Sequence, residues 1–218
     1  MTTNLSGRRV QAARNDGVIL AAARDVFLED PKAPIAAVAE RAGVGISALY
    51  RRYKGKDELL RTLCHDGLRT YIAEAEGAAG EPDGWAALVR FLRGVVDADV
   101  HSLTVHLAGT FAPTPQMHAD AVRAGDLAAD LVARAHEDGS LRPDVVVADV
   151  TLILEACAAI RVPDRDRTAE LRRRHLALML DGMRRRDTAA LPGPPPGAAE
   201  LNWRWAQSRQ PAQRDAPE

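Results

Sequence analysis

Two cysteines in 218 residues, Cys64 and Cys157, are too few for a disulfide framework. With no apolar leader in the opening MTTNLSGRRV, they point to a reducing cytoplasm. No apolar run approaches the roughly 18 residues of a membrane span. The best candidate, 145–160, carries Asp149 and Glu155 and reads as a buried helix. No GxGxxG, Walker loop, GxSxG, HExxH or CxxC occurs, so the common nucleotide, hydrolase and metal signatures are missing. Of the six histidines, His101 and His106 stand about 140° apart around a helix, and His65 beside Cys64 has no second such pair. No metal, cofactor or catalytic activity is expected. A net charge of -1 excludes a chain that is basic all over and coats nucleic acid or anionic lipid.

What is present is alanine, 40 residues, with β-branched residues that rarely alternate with polar ones. Alanine favours helix and is depleted in strands, so the expected class is all-α. Ile19, Ala22, Ala23, Val26 and Phe27 recur at i, i+3, i+4, i+7 and i+8, one face of a helix over about 11–29. Pro31 and Pro34 interrupt it. Short helices follow over about 35–42 and 45–53, then a long one over 58–76. After a loop rich in Gly and Pro at 77–84, helices are expected over 85–107, 116–137, 144–160 and 166–185. Residues 191–197, LPGPPPG, form an extended spacer. Trp203 and Trp205 beyond it belong either to a packed turn or to a disordered end.

The most informative stretch is 35–56. A helix-turn-helix needs a small residue where the helices cross, a residue tolerating positive φ four positions on, and an apolar residue six beyond that. Ala39, Gly43 and Leu49 meet these demands. The third helix then presents Ser47, Ala48, Tyr50, Arg51, Arg52 and Tyr53, followed by Lys54 and Lys56, a mixture of cations and hydroxyls suited to phosphate. Over residues 1–56 ten Lys and Arg face five Asp and Glu, net +5, leaving -6 for the remainder.

Ala42-Gly43-Val44-Gly45, Leu49-Tyr50-Arg51-Arg52-Tyr53 and Lys56-Asp57-Glu58-Leu59 resemble the DNA-binding signature of TetR-family transcriptional regulators, over about residues 9–60. The resemblance implies a homodimer, a helix-turn-helix in the major groove and a helical C-terminal domain that binds a small molecule and releases DNA. It divides the chain into a DNA-binding domain at 1–56, a helical ligand-binding and dimerisation domain at 57–186, and a Pro-rich linker and tail at 187–218. Carried over residue by residue, Gly45 stands at the N-cap of the DNA-binding helix in place of the frequent Ser or Thr, Ile46, Ser47 and Ala48 approach base edges, and Tyr50 meets a base methyl or a phosphate. Arg51, Arg52, Tyr53, Lys54 and Lys56 meet phosphate. Tyr53 stands where Phe is commoner, so it is either a phosphate ligand or a packed ring. Ser47-Ala48 replaces a frequent Gly-Thr pair and leaves base preference unread. Arg8, Arg9 and Arg14 form either an arm to the minor groove or a basic tail.

In the body, Trp85, Phe91, Val95, His101, Thr104, Phe111, Met117, Thr151, Glu155 and Cys157 are the residue types that line an effector pocket between helices. Asp149 and Glu155 need a partner or a ligand if buried, and none if they face solvent. Apolar stripes on the last two helices, Val146 to Ala158 and Leu171 to Met183, suit a four-helix dimer interface. The expected partners are a double-stranded palindromic operator, a small-molecule effector and a second copy, with no membrane. The expected function is a ligand-released repressor. A constitutive DNA-binding protein or activator shares the same head, and an all-helical enzyme with a vestigial head is the remaining alternative.

Overall fold

The computed structural model describes residues 3–107, 109–186 and 189–201, with 3–15, 198 and 199 described by backbone alone. The alanine-rich chain folds into helices: α1 (Thr3–Glu29), α2 (Ile35–Arg41), α3 (Ile46–Arg52), α4 (Lys56–Ala78), α5 (Gly84–Asp97), α6 (Val100–Leu107), α7 (Pro115–Glu137), α8 (Val147–Ala159), α9 (Arg165–Met183) and α10 (Ala198–Leu201). Among the described residues there is no strand, only an isolated antiparallel bridge between Leu141 and Arg184. The Trp203–Trp205 segment lies outside the described residues.

The helix starts follow capping chemistry. Asp83, Thr114 and Asp164 each accept a backbone N–H from three residues ahead, at 2.7, 3.2 and 2.9 Å. Pro115 opens α7, where a missing N–H costs nothing. Asp149 Oδ2 accepts the Val146 N–H at 2.8 Å, which starts α8 at Val147 rather than at 144. One of the two carboxylates in this apolar helix is therefore a cap.

Two apolar clusters organise the packing. In the first, the α1 stripe Ile19, Ala22, Ala23, Val26 and Phe27 closes over Val38, Ala39 and Leu49, all buried. Leu59, Leu60 and Leu63 of α4, Leu103 and Leu107 of α6, Phe111 and Met117 belong to the same cluster, so this core continues past residue 56. The second cluster joins Leu88, Phe91, Leu92 and Val95 of α5 to Leu131 and Val132 of α7, Val150, Leu154 and Cys157 of α8, and Leu176, Leu180 and Met183 of α9. Each fully buried large side chain contributes roughly 1.5–3 kcal/mol.

The helix expected over 85–107 is two. Asp99 adopts φ 52°, a left-handed conformation that Asp tolerates better than most residues, and the chain turns there from α5 into α6. Interactions from outside the segment hold the turn. The Asp99 carboxylate pairs with Arg24 of α1 at 2.7 Å and with Arg172 of α9, and it accepts the Ser102 hydroxyl. Burial raises this carboxyl, but Ser102 and the two guanidiniums together hold it below the usual carboxylate range. Arg172 also donates to the carbonyls of Ile160 at 3.0 Å and Ala158 at 3.3 Å. Those carbonyls end α8 and have no partner within it.

α5 begins hard against the end of α7. Its first N–H, on Gly84, donates to Asp138 Oδ2 at 2.7 Å, and a Cβ at Gly84 would lie 2.4 Å from the Arg134 carbonyl carbon. Gly84→Ala is therefore expected to lower stability by about 1–3 kcal/mol, since backbone cannot swing aside as a side chain can. Gly125→Ala, on the exposed face of α7 with nothing within 4 Å, should instead raise it by about 0.5–1 kcal/mol. Urea midpoints at unchanged m-value measure both.

Candidate nucleic-acid interface

The turn between α2 and α3 is built by the backbone around one glycine. Gly43 sits at φ 64°; its N–H donates to Glu40 O at 3.1 Å, and the Val44 N–H reaches back to Ala39 O at 3.0 Å. This is the Schellman pattern that stops a helix, and it requires the left-handed residue that Gly supplies without a Cβ penalty. Leu49, wholly buried, pins α3 against Val38 and Ala39.

That anchoring decides which side chains point out. At about 100° per residue, Ile46, Ser47, Tyr50 and Arg51 fall within one arc of about 140°, and all four are exposed. Ala48 is half-buried beside them, and Gly45, exposed, starts the helix without a side-chain cap. Arg51 and Lys54 close the far end of the arc, both exposed.

The other candidates have different positions. Arg52 is about 170° from the centre of the arc and is ion-paired with Asp16 of α1. Tyr53, expected as a phosphate ligand or a packed ring, is the packed ring: it is buried in the first cluster. Burial raises its phenol, opposed by Arg52. Lys56 turns inward. Its Nζ donates to Pro31 O at 2.7 Å and Ala33 O at 2.8 Å and lies 5.1 Å from the Phe27 ring centre. Burial pulls its pKa down, against the nearby Asp30 and Asp57. The roles of Asp16, paired with Arg52, and of Asp30, whose charge acts on Lys56, escaped the sequence reading because those cations stand 36 and 26 positions away. The two prolines that break the chain after α1 were the only hint of carbonyls that Lys56 would satisfy.

The ten pocket candidates are not brought into one pocket. Phe91, Val95 and Cys157 are in the second core, and Phe111 and Met117 in the first. Thr104 and Thr151 are exposed, Glu155 is half-buried, and Trp85 is half-buried under the Arg184 guanidinium at 5.5 Å. Residue type alone does not distinguish core from cavity lining. A cavity of about 340 Å³ between α1, α6 and α9 is instead edged by Arg24, Asp99, Ser102, His106, Arg165 and Arg172, with none of the ten among its walls. Among the described residues no group of three His, Cys, Asp or Glu is placed to hold a metal ion, and no helix is long and apolar enough to cross a membrane.

His101 is buried next to Asp99. Its Nδ1 lies 3.3 Å from the Val95 carbonyl, to which it donates, leaving Nε2 as a bare acceptor 3.9 Å from Asp99 Oδ1. Burial pushes the imidazole down to about 4, against the pull of the Asp99 charge.

Two family models match the chain. Residues 19–63 match "Bacterial regulatory proteins, tetR family", and residues 83–185 match "Transcriptional regulator SbtR-like, C-terminal domain". Among solved structures, a TetR transcriptional regulator of Streptomyces coelicolor is similar at 25% identity and TM-score 0.55, covering 78% of this chain and 98% of that one. The ketosteroid transcriptional regulator KstR2 of Mycobacterium tuberculosis is similar at 19% and TM-score 0.59, covering 78% and 95%. LfrR of Mycobacterium smegmatis, solved with proflavine, is similar at 23% and 0.52, covering 77% and 96%. No curated protein matches.

The His101 environment carries a pH signature. Unfolded, the residue takes its proton near 6.5; folded, only near 4. Acidification across that window protonates the unfolded chain first, so stability falls as pH drops from about 6.5 to 4. The stability difference between the parent and a His101→Gln variant should be flat above pH 7 and shrink through this window. A constant difference contradicts the assignment.

Proposed function

The chain belongs to the TetR family of bacterial regulatory proteins, and from that premise we propose that it is a cytoplasmic repressor that binds a palindromic operator as a homodimer and leaves it when a small molecule binds. It is a DNA-binding transcriptional regulator; the sign of regulation, the effector and the symmetry are the proposal. The observation that carries it is the α2–α3 turn, which directs Ile46, Ser47, Tyr50 and Arg51 outward on one arc next to Lys54.

In this reading residues 1–56 read DNA, 57–186 bind effector and partner, and 187–218 form the linker and tail. Gly45, Ile46, Ser47, Ala48 and Tyr50 face base edges, while Arg51 and Lys54 take phosphates. Exposed Val147, Thr151 and Leu152 of α8 and Leu178 of α9, 60% exposed, support a self-complementary face. Two copies related by a twofold axis would place their reading helices about one helical turn, 34–36 Å, or a multiple apart. The cavity edged by Arg24, Asp99 and Arg172 supports effector release, because a molecule seated there would compete with the contact joining α1 to α9. It switches the protein only if its affinity differs between the DNA-bound and released forms.

Selection of bound fragments from genomic DNA tests the reading. Palindromic sites that small-molecule extracts dissociate are expected; asymmetric sites or no extract response favour the constitutive alternative. In salt titrations, Arg51→Ala should weaken binding to every sequence and reduce the slope of log K against log salt by about one. Arg52→Ala, whose guanidinium is paired with Asp16, should leave the slope near that of the parent. Equal loss of slope in both variants would refute the division of their roles.

A further inference from the structure

We propose that α3 reads thymine through its methyl group, with Ile46 and the Tyr50 ring as the specificity-determining surfaces; the proposal rests on the DNA-binding reading above. Ile46 is 40% exposed and Tyr50 51% exposed, whereas Leu49 between them is fully buried. The two exposed apolar side chains are four residues apart and share one side of the helix, about 6 Å apart along its axis. That spacing spans about two base-pair steps of 3.4 Å when the helix lies along the groove.

The chemistry around this ridge narrows what it recognises. Guanine is read chiefly by Arg or Lys and adenine by Asn or Gln, in bidentate hydrogen bonds from the major groove. From Gly45 to Tyr50 the sequence GISALY offers none of these, and the Ser47 hydroxyl is the single short polar group. Arg51 and Lys54, exposed at the end of the arc, take phosphates in the reading above. The apolar feature of the major-groove edge is the C5 methyl of thymine, the group that an isoleucine and a tyrosine face desolvate favourably. Each half-site should therefore carry thymines about two base-pair steps apart, on either strand.

The test uses the unmodified full-length protein and a duplex recovered by selection from a random-sequence pool. Thymidine is replaced by deoxyuridine, position by position, which removes only the methyl. Binding is expected to fall about fourfold per methyl contacted, and about tenfold or more with one such position in each half-site. Ile46→Ala should abolish the penalty at one of those positions while leaving the salt slope unchanged. Selective binding that tolerates full uracil substitution overturns the proposal and leaves the DNA-binding reading intact. Failure to select any sequence overturns that reading and the proposal together.

Discussion

The Asp99 carboxylate is the contact on which the rest of the molecule is arranged. A left-handed residue in mid-chain is unfavourable for any side chain, and Asp99 stays there because Arg24, Arg172 and Ser102 converge on its oxygens. The turn it makes aims α6 back toward the head, so Leu103 and Leu107 enter the first core while Val95 and Val96 of α5 stay in the second. Arg172 is nearly buried and holds the last carbonyls of α8 as well as the carboxylate. Loss of Asp99 would leave that guanidinium without its counter-charge, a more costly state than never having buried the pair. One side chain thus joins the reading head, the α5–α6 corner and both helices offered for dimerisation.

This arrangement gives the domains a mechanical relation that separate cores would not provide. α1 is at once the outer wall of the head and, through Arg24, a partner of the corner; α9 is at once core and, through Arg172, the same corner's other partner. Asp99 touches both directly, with no intermediate side chain between the two helices and the corner. Lys56 adds a second tie, fastening the start of α4 to the α1–α2 loop. His101 lies against the hub as a neutral acceptor and adds no cation to it at neutral pH.

The helix-turn-helix was legible because its determinants are local: Ala39, Gly43 and Leu49 lie within eleven positions, and each has a role that few residue types fill. The apolar stripe of α1 was legible by periodicity and is buried in full. The break at Asp99 was not, because the residues that decide it stand 75 and 73 positions away, and nothing in DADVHS itself forbids helix. The scatter of the pocket candidates has a related reason. Phe111 and Met117 look like lining residues in the sequence, yet the turn at Asp99 brings α6 to the head and both join its core, Met117 also edging a separate cavity beside Lys54 and His65. The cavity between α1, α6 and α9 mixes charged walls, Arg24, Asp99 and Arg172, with Leu28, Val96 and Val162, a mixture that an apolar-pocket expectation passes over.

The charge division at residue 56 needs the same refinement. A head of net +5 suggests a broad cationic face, but several of its cations serve the fold. Arg24 is held by Asp99, Arg41 by Glu29, Arg52 by Asp16 and Lys56 by two carbonyls. On the reading arc and its edge that leaves Arg51 and Lys54. A short reading helix with few cations depends less on phosphate attraction and more on fit to the groove, because the counterion term scales with the number of phosphates neutralised. In the proposed reading selectivity comes from the base edges themselves, and the exposed surface that α3 would offer them is largely apolar. With a net charge of -6 over residues 57–218, the body adds no long-range attraction for DNA to that of the head.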